Sequence, residues 1–225
     1  MNTRKKKNLF QIAATTTGKP LTKKAYNIAL SLFVLYGFLV NILEYVFLRD
    51  FFLNINPIVF IISYIVLAIA GSIILNVSHS AVGAFVGYNM FVLPIGGLLS
   101  CTLSYWLTVN PDIILYAFIG TAIVTSIMFL FSCVNPELFM KLGGLVMIGF
   151  IATLISEILL WIIMGSIPQF FSYLIVVIMS FFIAYDFAMA NRVPRTMRNA
   201  VVFAANLWLD IINIFIHLID IFGDD

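Results

Sequence analysis

The chain has 225 residues, 63% of them hydrophobic and only 10% charged, with a mean hydropathy of +1.11. A soluble domain carries roughly 45–50% apolar and 25% charged residues, so this composition excludes a soluble enzyme or nucleic-acid-binding domain and requires an integral membrane protein. The formal net charge is only +2, but seven of the twelve basic residues (Arg4, Lys5, Lys6, Lys7, Lys19, Lys23 and Lys24) fall in the first 24 positions.

Residues 1–24 read as a basic cytoplasmic tail. The apolar run that follows is too long for a signal-peptide core and has no small-residue cleavage site, so it reads as a retained first helix. About 20 apolar residues are needed to cross the hydrocarbon core. Seven stretches qualify, at 25–48, 57–76, 81–103, 112–134, 142–164, 168–188 and 200–222, and residues 25–225 read as one transmembrane domain. Asn56-Pro57, Ser78-His79-Ser80, Asn110-Pro111, Asn135-Pro136 and Ser166-Ile167-Pro168 separate them tightly. Such punctuation predicts an all-α, compact seven-helix bundle with short loops, its last helix short or, as the alternative, re-entrant. With the N-terminus inside, eleven Lys and Arg residues fall on the inner face and only Arg49 on the outer, as the positive-inside rule requires.

Within this bundle, Gly83 and Gly87 form a G-x-x-x-G step, and Gly96-Gly97 and Gly143-Gly144 offer further surfaces for close helix approach. Cys101 and Cys133 fall near opposite ends of successive helices, too far apart to bridge.

Chemistry concentrates in the last two helices. On a helical wheel, Asn199, Asn206, Asp210, Asn213, His217 and Asp220 fall within an arc of about 80°. A polar face that runs the length of a membrane helix must meet protein or water, not lipid. An Asp at bilayer depth costs on the order of 2.5–3.5 kcal/mol, more than a hydrogen-bonded seam of Asn and Ser requires. Asp186 ends the sixth helix in Ala-Tyr-Asp-Phe, joined to the seventh by a short basic loop. Asp186 and Asp210 are therefore expected to approach, share a proton, and change protonation state within the physiological pH range. With nearby Asn oxygens the pair suits transient Ca²⁺ contact. A salt bridge from the loop arginines to Asp186 is the plainer alternative. Glu44 and Glu157 fall in the outer half. They either line an outer vestibule or act plainly, Glu44 at the interface beside Tyr45 and Glu157 hydrogen-bonded beside Ser156. No motif for a cofactor, nucleotide or resident metal occurs. The expected partners are the bilayer, calcium ion and, as an alternative, another membrane protein; no nucleic acid is expected.

The segment Leu-Trp-Leu-Asp-Ile-Ile-Asn-Ile-Phe-Ile-His-Leu-Ile-Asp-Ile-Phe-Gly (207–223) resembles the C-terminal signature of the Bax inhibitor family, also called the transmembrane BAX inhibitor motif family. Ala-Tyr-Asp-Phe (184–187) is similar to that family's sixth-helix Tyr-Asp, and residues 117–129 to its fourth-helix motif. The resemblance, closest to bacterial members, implies seven helices, a plasma-membrane location and a pH-sensitive Ca²⁺ leak. It implies that Asp186 and Asp210 form a di-aspartyl sensor whose ionised form holds the pore closed, with a second-helix arginine as latch. The matching stretch here, Ile73–His79, contains no arginine, so the latch is not carried over. Two other function classes compete with the leak. One is a non-conducting regulator or scaffold. The other is an intramembrane aspartyl protease, which the missing Gly-x-Gly-Asp before Asp210 disfavours.

Overall fold

A computed structural model describes residues 18–164 and 168–223; the basic tail before Gly18 lies outside the described residues. Seven helices occur among those residues: α1 (Lys23–Asn54), α2 (Pro57–Val77), α3 (Ala81–Val109), α4 (Pro111–Val134), α5 (Pro136–Met164), α6 (Phe170–Ala190) and α7 (Met197–Gly223). All are long and apolar enough to cross a membrane. No strand is present among the described residues. The protein is a multi-pass integral membrane protein built as a seven-helix bundle.

The helix boundaries follow from the Asn-Pro and Ser punctuation. Asn56 Oδ1 accepts the backbone N–H groups of Ile58 and Val59 while Pro57 occupies the first helical position. Asn110 ends α3 and caps α4 through Asp112 N at 3.2 Å, again with Pro following. Asn135 Oδ1 caps α5 through Leu138 N, and Ser80 Oγ caps α3 through Gly83 N. Each cap satisfies orphan donors that the bilayer would not. Polar side chains inside the spans are met in the same way. Ser100, Ser104, Thr121, Ser126 and Ser180 each donate to a carbonyl four residues back on their own helix.

Three helices extend past the apolar windows read from sequence. α1 runs on to Asn54, α3 runs on through Tyr105 and Trp106 to Val109, and α5 begins at Pro136 with Glu137 and Lys141 in its first turns. Hydropathy marks only the hydrocarbon layer, while the backbone ladder continues into the interface. The last helix is neither short nor re-entrant. Its 27 residues span about 40 Å at 1.5 Å per residue, more than the bilayer core.

α7 is the axis of the bundle: α1, α3, α4 and α6 all pack on it, whereas α2 packs on α3 and α5 on α6. Trp208 is fully buried at its centre, edge-on to Tyr88 with ring centroids 5.8 Å apart. Tyr88 Oη donates to Phe33 O at 3.0 Å, which ties α3 to α1 beside them. Small residues allow the peripheral contacts. A Cβ on Gly87 would stand 2.6 Å from Leu75 N and 2.9 Å from Gly71 O, so α2 and α3 cross backbone to backbone at the Gly71/Gly87 step.

At one end of the bundle the chain segments expected to face the cytoplasm converge. Leu21 N donates to Arg195 O at 2.7 Å, joining the start of the described chain to the α6–α7 loop. Arg192 reaches Glu137 of α5 at 3.4 Å, and the end of α2 meets the start of α7.

Replacing Gly87 with Leu should separate α2 from α3 and cost about 1–3 kcal/mol through overpacking. The check is a lowered thermal midpoint of the detergent-solubilised protein. Gly144→Leu, where a Cβ has nothing within 4 Å, should leave that midpoint unchanged.

Candidate functional site

The central position of α7 decides what its polar stripe meets. Asp210 sits at the middle of α7 and is 7% exposed; Asp186, one turn from the end of α6, is 4% exposed. The two carboxyl groups are near neighbours across the α6–α7 seam, and Asn206, one turn before Asp210, lies beside Asp186. One oxygen of Asp210, Oδ2, is buried without a hydrogen-bond partner. A tight carboxyl pair with an unsatisfied oxygen is a place where one proton can be held between two acids.

The stripe continues along the α6–α7 seam. Asn213 Nδ2 donates to Leu209 O of its own helix at 2.8 Å. His217 Nδ1 lies 3.2 Å from Ser172 Oγ on α6 and 3.7 Å from Asp220 Oδ2. Gln169 Nε2 donates to Ile221 O at 3.1 Å, closing the seam at the far end. Both neighbours of His217 use the same ring nitrogen. That differs from the Ser–His–Asp relay of a hydrolase, in which the imidazole bridges its two partners through opposite nitrogens.

The loop arginines are engaged elsewhere. Arg192 pairs with exposed Glu137. Arg198 is 2% exposed and reaches across to the C-terminal end of α2. Its Nε donates to Ser78 O at 3.1 Å, and its Nη2 to Leu75 O at 3.0 Å and Asn76 O at 3.1 Å, while Nη1 meets Asn199 Oδ1. This guanidinium caps the last turn of α2, where carbonyls lack intrahelical donors and the helix dipole favours a cation. Ile73–His79, the stretch without an arginine of its own, is thus served by one from α7. The signal in the sequence was a cation in the first turn of α7, an unfavourable place for it on its own helix.

Glu44 is buried inside the bundle. It is 5% exposed, accepts from Asn41 Nδ2 at 3.0 Å, and lies where a Cβ on Gly96 would collide with its carboxyl. Asn41 Nδ2 also donates to Val92 O of α3 at 3.0 Å, so the Asn41–Glu44 pair joins α1 to α3. Glu157 belongs to α5, and its side chain lies outside the described residues. His79 is exposed in the α2–α3 turn.

For a metal, the site offers two carboxyls and the Asn206 amide, and no cluster of three or more His, Cys, Asp or Glu occurs among the described residues. Ca²⁺ takes 6–8 oxygen ligands, more than these three side chains supply by themselves.

Residues 20–225 match the family model described as inhibitor of apoptosis-promoting Bax1. The chain belongs to this Bax inhibitor family. The match covers the α6–α7 pair and the rest of the described bundle. A comparison with curated proteins returns no match. Within the Bax-inhibitor bundle seen here, Arg198 and Asp210 both lie on α7, so one helix carries the clamp on α2 and one half of the acid pair, whose other half, Asp186, comes from α6.

Arg198→Ala should destabilise the bundle by about 1.5–3 kcal/mol, the usual scale for a hydrogen bond to a charged group. Arg198→Lys should recover only part of this, because an ammonium cannot reproduce the guanidinium fork. Thermal midpoints of the three proteins, measured side by side in one detergent, check the order wild type, Lys, Ala.

Proposed function

We propose that this protein is a pH-sensitive calcium leak of the membrane in which it resides, gated by the protonation of Asp186 and Asp210. The observation that carries this reading is the buried carboxyl pair between α6 and α7, with one Asp210 oxygen left without a partner. Placing two acids at bilayer depth is costly, and a purely structural seam would be served by Asn and Ser. Family membership supports the same reading, since the resemblance of the Tyr-Asp and C-terminal segments implies a leak controlled by such a pair.

Mechanistically, the charge on the pair sets the state. When a proton is lost, the extra negative charge cannot spread into the apolar surroundings, and it draws on the polar groups at hand, Asn206 first. When both acids are neutral, that demand ends and the α6–α7 seam can loosen. Protonation thus favours the conducting arrangement, and flux rises as pH falls. The surface of α7 is shared among α1, α3, α4 and α6, so a change at this seam reaches every helix packed on α7. The clamp from Arg198 to the end of α2 replaces a latch residue within α2 and keeps α2 registered to α7 during this change.

The test is Ca²⁺ flux from liposomes reconstituted with purified protein, read between pH 5 and pH 8. Wild type should pass Ca²⁺ faster at the acidic end. Asp210→Asn and Asp186→Asn, each of which removes one ionisable group, should flatten the pH dependence at least several-fold. Flux with an unchanged pH profile in both variants would overturn the sensor assignment. No Ca²⁺ flux from folded wild-type protein at any pH would overturn the leak itself.

A further inference from the structure

α1 and α4 flank α7 on one side of the bundle, and the space between them is not filled by side chains. Two cavities of about 520 Å³ each lie there, end to end, and both are lined by Thr125, Ser126 and Ile211. The first extends along α6 and α7, where Ile183, Phe187, Leu207 and Ile211 are the immediate neighbours of Asp186 and Asp210 in their helices. The second extends toward Asn41 of α1 and Thr121 of α4. Leu35 and Ile42 on one lip, and Phe118 and Leu130 on the other, are 59–65% exposed, so the cleft opens on the lipid-facing surface.

The lining is mostly apolar, and of its polar side chains, which include Ser31, Tyr45, Thr121 and Ser126, two share one property. Thr125 Oγ1 and Asn41 Oδ1 are both buried and both lack a hydrogen-bond partner. Asn41 has already committed its amide N–H groups to Glu44 and Val92, so what it presents is a bare acceptor. Thr125 lies just past the middle of α4 and Asn41 just past the middle of α1, far from the water at either end. A ligand-sized volume that is apolar, open to lipid and provided with an unmet acceptor calls for a chain that brings its own O–H donor.

We propose that this α1–α4 cleft is a lateral binding site for a single-chain amphiphile ending in a hydroxyl or a protonated carboxyl. It enters sideways from the bilayer, places its chain along the α6–α7 seam, and donates its O–H to Asn41 Oδ1, with the Thr125 hydroxyl as the second polar contact. The occupant is a long-chain alcohol or neutral fatty acid, not the acyl tail of a bilayer phospholipid. A phospholipid tail has no donor to offer at this depth.

A diazirine- and alkyne-tagged long-chain alcohol, photolysed with the full-length protein in phosphatidylcholine nanodiscs and mapped by peptide mass spectrometry, tests this. Label is expected on α1 and α4 residues of the cleft. Unlabelled hexadecanol should displace it at a concentration at least ten-fold lower than hexadecyl methyl ether, which lacks the donor. Ser126→Phe, which fills the space where the cavities meet, should abolish labelling. Thr125→Val, nearly isosteric and safe for folding, should weaken it about three-fold or more, and Asn41→Leu should remove the preference for the alcohol over the ether. Equal competition by alcohol and ether, or equal labelling by a phosphatidylcholine carrying the same diazirine in its acyl chain, would show ordinary lipid filling and overturn the proposal. So would labelling that persists unchanged in Ser126→Phe.

Discussion

A membrane helix with one polar face cannot present that face to lipid, and the arrangement of this bundle follows from that constraint on α7. Its stripe from Asn199 to Asp220 has to be covered along about 32 Å, and no single neighbour is wide enough to do so and also bury the opposite, apolar face. The solution is to put α7 at the centre. α6 covers the polar side, with Asp186 and Ser172 meeting Asn206, Asp210 and His217, while α1, α3 and α4 pack around the remainder. α2 and α5, which carry no comparable stripe, stand at the periphery and expose most of their surface to lipid.

Centrality has a second consequence. Every helix of the bundle packs on α7 or on a helix that does. Arg198, at the first turn of α7, holds the end of α2 through three carbonyls, so even a helix that packs only on α3 is tied to α7 at one end. Asp210, the clamp and the buried Trp208 are arranged along a single rod, with Asp186 facing it from α6. Many polar groups away from that rod are satisfied locally, by caps and by bonds to their own helix, and they fix boundaries without coupling one helix to another. Others cross between helices: Tyr88 Oη bonds Phe33 O, Ser132 Oγ bonds Ala184 O, and the Asn41–Glu44 pair joins α1 to α3 and leaves one acceptor over.

Much of this was legible in the chain, and the parts that were not share a physical reason. The number and order of the helices follow from apolar windows broken by Asn-Pro and Ser, because the breaks at Asn56, Ser80, Asn110 and Asn135 double as caps and three of them place a proline at the first helical position. The stripe on α7 is a matter of 100° per residue and needs no tertiary information. Helix ends were less legible: α3 and α5 extend through interfacial residues such as Trp106 and Lys141 that a hydropathy window discounts. The partners of long side chains were not legible at all. Arg198 is separated by about 120 residues from the carbonyls it caps, and Glu44 by about fifty from the glycine that makes room for it. Neither distance leaves a periodicity in the sequence.

By itself, then, the sequence determined that this is a membrane protein of seven helices, that α7 has a polar face, and that Asp186 and Asp210 lie on consecutive helices. Burial cost and helical geometry are properties of a segment and its solvent, so they can be read from a segment alone. Only the tertiary structure decided that α7 is the axis, that Arg198 turns to α2 while Arg192 takes Glu137, that Glu44 is internal, and that a cleft remains between α1 and α4. These outcomes depend on how seven apolar cylinders fill space around one another, and lipid-facing and protein-facing surfaces of such cylinders have nearly the same composition.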